Sequence, residues 1–284
     1  AFDVVTGGPG FFADVGAGLT GVLKGSSEWG DYDGDGDLDL VVTGFDGEDS
    51  ATIYRNDGGG AFTDISAGLT GVERGSSKWG DYDGDGDLDL IVTGFLIDAP
   101  TGFPQRAEIY ENDVENGNGF SPVSPGLTGV EQSSSGWGDY DGDGDLDLVV
   151  TGKDPSNNKT ATIYENEGGG TFTDIGAGLT GVDGSSSEWG DYDGDGDLDL
   201  VITGLDASSA TATIYENEGG GTFTAIGASL KGVQSSSSEW GDYDGDGDLD
   251  LVITGLDASS ATATIYENEG GGTFTAIGAG LTGV

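Results

Sequence analysis

One twelve-residue segment, Trp-Gly-Asp-Tyr-Asp-Gly-Asp-Gly-Asp-Leu-Asp-Leu, occurs five times without a single change, beginning at Trp29, Trp79, Trp137, Trp189 and Trp240. The copies lie 50, 58, 52 and 51 residues apart. A period of this size restricts the chain to propellers or solenoids, in which each unit is one supersecondary piece that cannot bury both of its faces alone. Within a unit the pattern is that of strands. A Ser-rich stretch leads into Trp29, and Leu38-Asp39-Leu40-Val41-Val42-Thr43 is apolar on both faces, as a central strand must be. Ala51-Thr52-Ile53-Tyr54 makes a third short strand, and Gly58-Gly59-Gly60 turns the chain into a fourth, Ala61-Phe62-Thr63-Asp64-Ile65. No stretch holds helical apolar spacing for long, which sets a helical solenoid aside.

The sequence therefore predicts an all-β chain: one five-bladed β-propeller domain over residues 1–284, built of four-stranded antiparallel blades. The units run over about 26–75, 76–132, 133–184, 185–235 and 236–284, with 1–25 as an N-terminal closing or capping strand. Units four and five are nearly identical, differing chiefly at Ser229/Gly280 and Lys231/Thr282. Residues 11–22 match the end of a unit, and 273–284 supply that element for the fifth, so one copy of the fourth strand is surplus. Three arrangements accommodate it: the surplus strand caps or closes the ring, an open end pairs with another molecule, or the chain is a piece of a longer array. Without a basic-plus-apolar signal segment, and beginning at Ala1 without an initiator Met, the chain reads as a soluble or mature form.

Composition narrows the chemistry. With 53 Asp and Glu against 8 Lys and Arg, the formal charge is −45, which repels nucleic acid and anionic membrane surfaces. No apolar run approaches the roughly 20 residues of a membrane span, so membrane insertion is not expected. The absence of Cys and His removes disulfides, thiolate and imidazole metal sites, Cys nucleophiles and His-based triads. Any metal must be a hard cation held by oxygen. Charge and abundant Gly also occur in disordered chains, but here 26 aromatic residues recur at fixed places and the charge is concentrated in short loops.

Those loops have a ligand pattern. Asp31, Asp33, Asp35 and Asp39 occupy positions 1, 3, 5 and 9, Gly36 permits a sharp turn at position 6, and Asp37 at position 7 offers its backbone carbonyl. The same set recurs as Asp81, Asp83, Asp85, Asp87 and Asp89; as Asp139, Asp141, Asp143, Asp145 and Asp147; as Asp191, Asp193, Asp195, Asp197 and Asp199; and as Asp242, Asp244, Asp246, Asp248 and Asp250. Oxygen-only ligation in flexible geometry selects Ca²⁺ over Mg²⁺, giving five Ca²⁺ per chain. An EF-hand fails because position 12 is Val42, Val92, Val150, Ile202 or Ile253 instead of Glu, and because the flanks are strands. A solvated Asp/Gly turn without an ion is the alternative. Five unbroken copies, each crowding carboxylates that repel unless a cation neutralises them, favour calcium.

The run from Trp29 through Thr43-Gly44, followed by the Ile-Tyr-Glu-Asn-Glu-Gly-Gly-Gly-Thr-Phe-Thr-Asp-Ile pattern of 163–175, resembles the FG-GAP/VCBS-type repeat. That family is similar to the blades of the integrin α-subunit propeller and is common in large secreted bacterial proteins. The resemblance implies Ca²⁺ in the loop between the first two strands of each blade, and roles in adhesion and in glycan or protein binding. Propellers of this family usually carry more blades than the five repeats here.

Other residues divide between packing and binding. The repeated Trp, two residues before the first ligand position, is expected between blades rather than as a sugar platform. Tyr54 is expected in the core and Tyr32, inside the loop, partly exposed. The Ser runs before each Trp suit a crowded axis. Unit two carries a longer, Pro-rich apolar loop, Phe95 to Arg106, a place where a binding site can be grafted. No catalytic constellation stands out, so the chain is expected to be a non-enzymatic, calcium-binding adhesion or assembly module, secreted or at the cell surface. Its partners would be a protein or glycan there, or further copies joined through the surplus strand. A lectin-like propeller and the accessory domain of a polysaccharide-degrading enzyme are the alternatives.

Overall fold

The computed structural model describes residues 14–97, 104–114, 119–123, 125–278 and 281. Among them lie five four-stranded antiparallel sheets, each with its strands in chain order, and no helix. Blade 1 consists of β1 (Leu23–Gly30), β2 (Asp39–Phe45), β3 (Asp49–Asn56) and β4 (Phe62–Asp64). Blades 2 to 5 repeat this over 77–123, 131–174, 183–225 and 234–277. This is the predicted all-β arrangement of five blades in a propeller-like array. The expected closing strand at 1–13, residues 98–103 of the unit-two loop and most of 279–284 lie outside the described residues.

The second strand of each blade is apolar on both faces because each face meets a different neighbour. In blade 2, Leu90 and Val92 pack with Val41 and Ile53 of blade 1. Ile91, one residue out of phase, packs with Leu148 and Val150 of blade 3. All seven are at most 2 % exposed. The period-two alternation of a strand thus sends one apolar set forward and the other back. Among the described residues the core is accordingly four clusters, one per junction between consecutive blades. Each buried Leu, Ile or Val contributes about 1.5–3 kcal/mol to holding a junction.

Every junction uses the same parts. A loop Tyr of one blade stacks on the repeat Trp of the next: Tyr32 on Trp79 at 6.1 Å, Tyr82 on Trp137 at 6.3 Å, Tyr140 on Trp189 at 6.4 Å and Tyr192 on Trp240 at 6.5 Å. A Phe of the following blade's outer strand tilts against both rings. These tyrosines are only 3–4 % exposed. The expectation of a partly exposed Tyr32 is therefore corrected: the loop turns its ring into the next blade. The Trp fits because the residue facing it is glycine, since a Cβ on Gly30, Gly80, Gly138 or Gly190 would lie 2.6–2.8 Å from the incoming indole.

Polar contacts complete the junction. Asn112, Asn166, Asn217 and Asn268 each donate through Nδ2 to the carbonyl of the preceding blade's loop Tyr, at 2.7–2.8 Å. The first strands of neighbouring blades are tied by serines, Ser135 to Ser76 and Ser187 to Ser134 at 3.1 Å, so the Ser runs meet one another across the junctions. Connecting segments cross to the next blade and donate a backbone N–H to its third-strand Tyr, as Thr180 does to Tyr215 Oη at 3.0 Å. Residues 14–22 run into blade 1 in the same way, with Thr20 N–H donating to Tyr54 Oη at 3.3 Å.

Candidate metal centres

The acidic loops join the innermost and second strands, so the shared topology of the blades sets all five at the same end of their strands. Each loop is wound by its own carboxylates. In blade 3, Asp139 Oδ1 accepts from the N–H groups of Gly142 and Asp143, and Oδ2 accepts from Gly144. Asp141 Oδ1 accepts from Asp143 N–H and Asp143 Oδ1 from Asp145 N–H, successive Asx turns that coil the segment tightly. The position-6 glycines have φ between 93° and 102°, a region that penalises any side chain, which explains Gly at each copy.

The winding gathers carboxylate oxygens within 4.8 Å of one another in every blade. The groups are Asp31, Asp33 and Asp39; Asp81, Asp83 and Asp85; Asp139, Asp141 and Asp143; Asp191, Asp193 and Asp199; and Asp242, Asp244 and Asp246. The position-7 carboxylates, Asp37, Asp87, Asp145, Asp197 and Asp248, stand outside these groups. Position 9 is the deepest. Asp39, Asp89, Asp147, Asp199 and Asp250 are 0–3 % exposed, and each accepts from the loop Tyr N–H through Oδ2 and from a third-strand Asn N–H through Oδ1. The residue thereby pins the loop to the sheet.

The electrostatics favour a cation. Burial, partly offset by those N–H groups, pushes Asp89, Asp147 and Asp199 up to about 7. Burial with repulsion from neighbouring carboxylates also raises Asp33, Asp83 and Asp193. Asp31 Oδ1 and Asp33 Oδ1 are buried and accept no hydrogen bond from the protein. Unpaired buried oxygens of this kind cost free energy unless a partner satisfies them, and an all-oxygen donor set suits a hard divalent ion. The clusters can hold a metal ion.

The model of the FG-GAP-like repeat matches the chain at residues 31–92, 139–202 and 191–253. The chain belongs to this family. No curated protein matches it in sequence. Among solved structures, an Agrocybe aegerita lectin that recognises non-reducing terminal N-acetylglucosamine is similar, with a TM-score of 0.53 and 23 % identity over 89 % of this chain and 64 % of the lectin. A biofilm matrix protein of V. cholerae gives 0.47 and 19 % over 89 % of this chain and 38 % of its own. This chain spans less than two thirds of the length of either.

This FG-GAP-like repeat chain has a further working residue in each blade that the carboxylate pattern did not reveal. The Asn of Ile-Tyr-x-Asn, Asn56, Asn112, Asn166, Asn217 and Asn268, secures position 9 by its backbone and the carbonyl of the loop Leu by Nδ2 at 3.1–3.2 Å. Its recurrence in all five units was the available signal. The sequence also did not single out Glu165, Glu216 and Glu267, which accept from the loop tyrosines Tyr140, Tyr192 and Tyr243 at 3.1–3.2 Å.

Proposed function

We propose that this FG-GAP-like repeat chain is a calcium-binding extracellular adhesion or assembly module that performs no catalysis. The observation that carries it is the gathering of three carboxylates in the acidic loop of each of the five blades, every loop joining the first and second strands of its blade. Each cluster takes one Ca²⁺, with side-chain ligands at positions 1, 3, 5 and 9 and the backbone carbonyl at position 7. Calcium is abundant outside cells, and a rigid scaffold without sensor helices suits a secreted or surface protein that uses the ion as a structural clamp. Among the described residues, no helix is long and apolar enough to cross a membrane. The absence of catalysis is proposed because the chain has no His or Cys and its regular carboxylates are engaged in the loops.

Glycan binding is the second reading. It draws on the fold shared with the N-acetylglucosamine-recognising lectin and on a groove between blades 4 and 5 lined by Tyr192, Glu216, Thr224 and Gly271. Tyr192 is only 3 % exposed, which leaves little aromatic face for a sugar, so assembly is preferred. Calorimetric titration of the purified chain with Ca²⁺, alongside a glycan array, decides between them. Five calcium equivalents with no glycan hit support the module as stated. A clear glycan hit transfers the function to the lectin reading, and absence of calcium binding refutes both the ion and its structural role.

A further inference from the structure

The residue after the third-strand Tyr differs in one blade. It is Glu111, Glu165, Glu216 and Glu267 in blades 2 to 5, and Arg55 in blade 1. The strand register is the same, since Arg55 lies opposite Thr63 as Glu165 lies opposite Thr173 and Glu216 opposite Thr224. Two residues further on, every blade has an acid: Asp57, Asp113, Glu167, Glu218 or Glu269. The two positions together are therefore formally neutral in blade 1, whereas in each other blade they carry two negative charges.

This position lies beside the acidic loop. In blades 3 to 5 the Glu accepts from the Oη of its own loop Tyr at 3.1–3.2 Å, and that Tyr stands between ligand positions 1 and 3. Glu216 lines one groove together with Tyr192 and Asp193, and Arg55 lines the matching groove of blade 1 with Tyr32. The charge is felt at position 3. Burial raises the Asp193 carboxyl and Glu216 adds to the rise, while burial raises Asp33 and Arg55 opposes it.

The guanidinium is held where it acts. Arg55 donates through Nε and Nη2 to Asp57 Oδ1, at 3.0 and 2.7 Å, and Asp57 Oδ2 accepts from Thr63 Oγ1. Lys78, the other cation close in sequence to an acidic loop, lies instead against Glu28 at 3.4 Å and Glu188 at 4.0 Å.

We infer that Arg55 makes the blade 1 loop the weakest of the five divalent-cation sites, and that Glu111, Glu165, Glu216 and Glu267 strengthen the other four. The inference rests on the calcium reading above. An ion entering the blade 1 loop meets a positive charge where it meets a negative one in every other blade. A difference of two unit charges beside a solvent-accessible divalent ion changes its affinity by about tenfold at low ionic strength. Blade 1 thereby fills last as calcium rises. The junction that its loop helps to form, where Tyr32 stacks on Trp79, is the last to be clamped.

Calorimetric titration of the full chain with Ca²⁺ at low ionic strength tests this. The wild type is expected to show one equivalent bound about tenfold more weakly than the rest. Asp33→Asn is expected to remove that equivalent and to leave the tighter ones, which assigns it to blade 1. Arg55→Glu is expected to tighten it about tenfold, whereas Arg55→Lys keeps the charge and leaves it weak. Glu216→Arg is expected to create a second weak equivalent, and all these differences shrink as added salt screens them. Circular dichroism verifies the fold of each variant; Arg55 is half-exposed, so its replacement leaves the packing intact. An Arg55→Glu chain that binds calcium as the wild type does overturns the role of Arg55 and leaves the calcium reading standing. Tightening by Arg55→Lys equal to that by Arg55→Glu overturns the electrostatic cause. A wild type that binds no calcium overturns both the inference and the reading beneath it.

Discussion

Glycine at the fourth junction illustrates how one atom's space is assigned. Gly190 and Gly241 occupy the same place in identical segments, yet a Cβ at Gly190 would lie 2.7 Å from Trp240 and one at Gly241 would meet nothing. Gly190→Val should therefore lower stability by about 1–3 kcal/mol through overpacking, while Gly241→Val changes it by less than about 0.5 kcal/mol. Urea unfolding of the two variants side by side checks this, and equal losses would contradict the open blade 5 face. Tyr32 carries a related lesson. An aromatic residue between two Asp in a polar loop reads as half-solvated from its neighbours in sequence, but the ring crosses into the next blade and is 4 % exposed.

The acidic loop is the element whose behaviour depends most on solution conditions. Asp89, Asp147 and Asp199 have folded-state values near 7 against an ordinary 3.8, so the folded chain binds more protons than the unfolded one between those limits. Their contribution to stability is full below about pH 4 and declines as pH rises through about 7. Without divalent ions, thermal unfolding should accordingly show a falling melting temperature across that window. With millimolar calcium the sign should reverse, because an ion holds the carboxylates ionised and its stabilisation is lost on acidification. A metal-free chain that gains stability from pH 4 to 7 would contradict the burial of position 9. The loop's turns and its cluster of carboxylates were legible in sequence because they are set by close neighbours along the chain. The Asn that pins it was not, since Asn166 meets Asp147 only when the third strand pairs beside the second.

For the whole molecule, stability depends on a chain of neighbours. Four of the five acidic loops carry a Tyr that also forms a junction, so calcium bound there as proposed should stabilise the folded array by about 2.7 kcal/mol per site at a hundredfold excess over Kd. The melting temperature should rise with calcium and fall with chelator, as scanning calorimetry can measure; identical curves would remove the structural role of the ion. The −45 charge adds to this dependence, because unneutralised rims repel one another along the array.

What the sequence determined by itself was everything set by near neighbours: strands alternating with turns, the loop with its carboxylates at alternate positions, and the repeat that makes all five blades alike. Only the tertiary structure decided which copies are covered. Trp29 and Trp240 belong to identical segments, yet one is exposed and the other packs between Tyr192 and Phe274, because burial depends on the blade in front and not on the residue itself. A linear repeat gives every unit the same two faces, and among the described residues no blade packs on Trp29 or on Gly241 as one does on their counterparts.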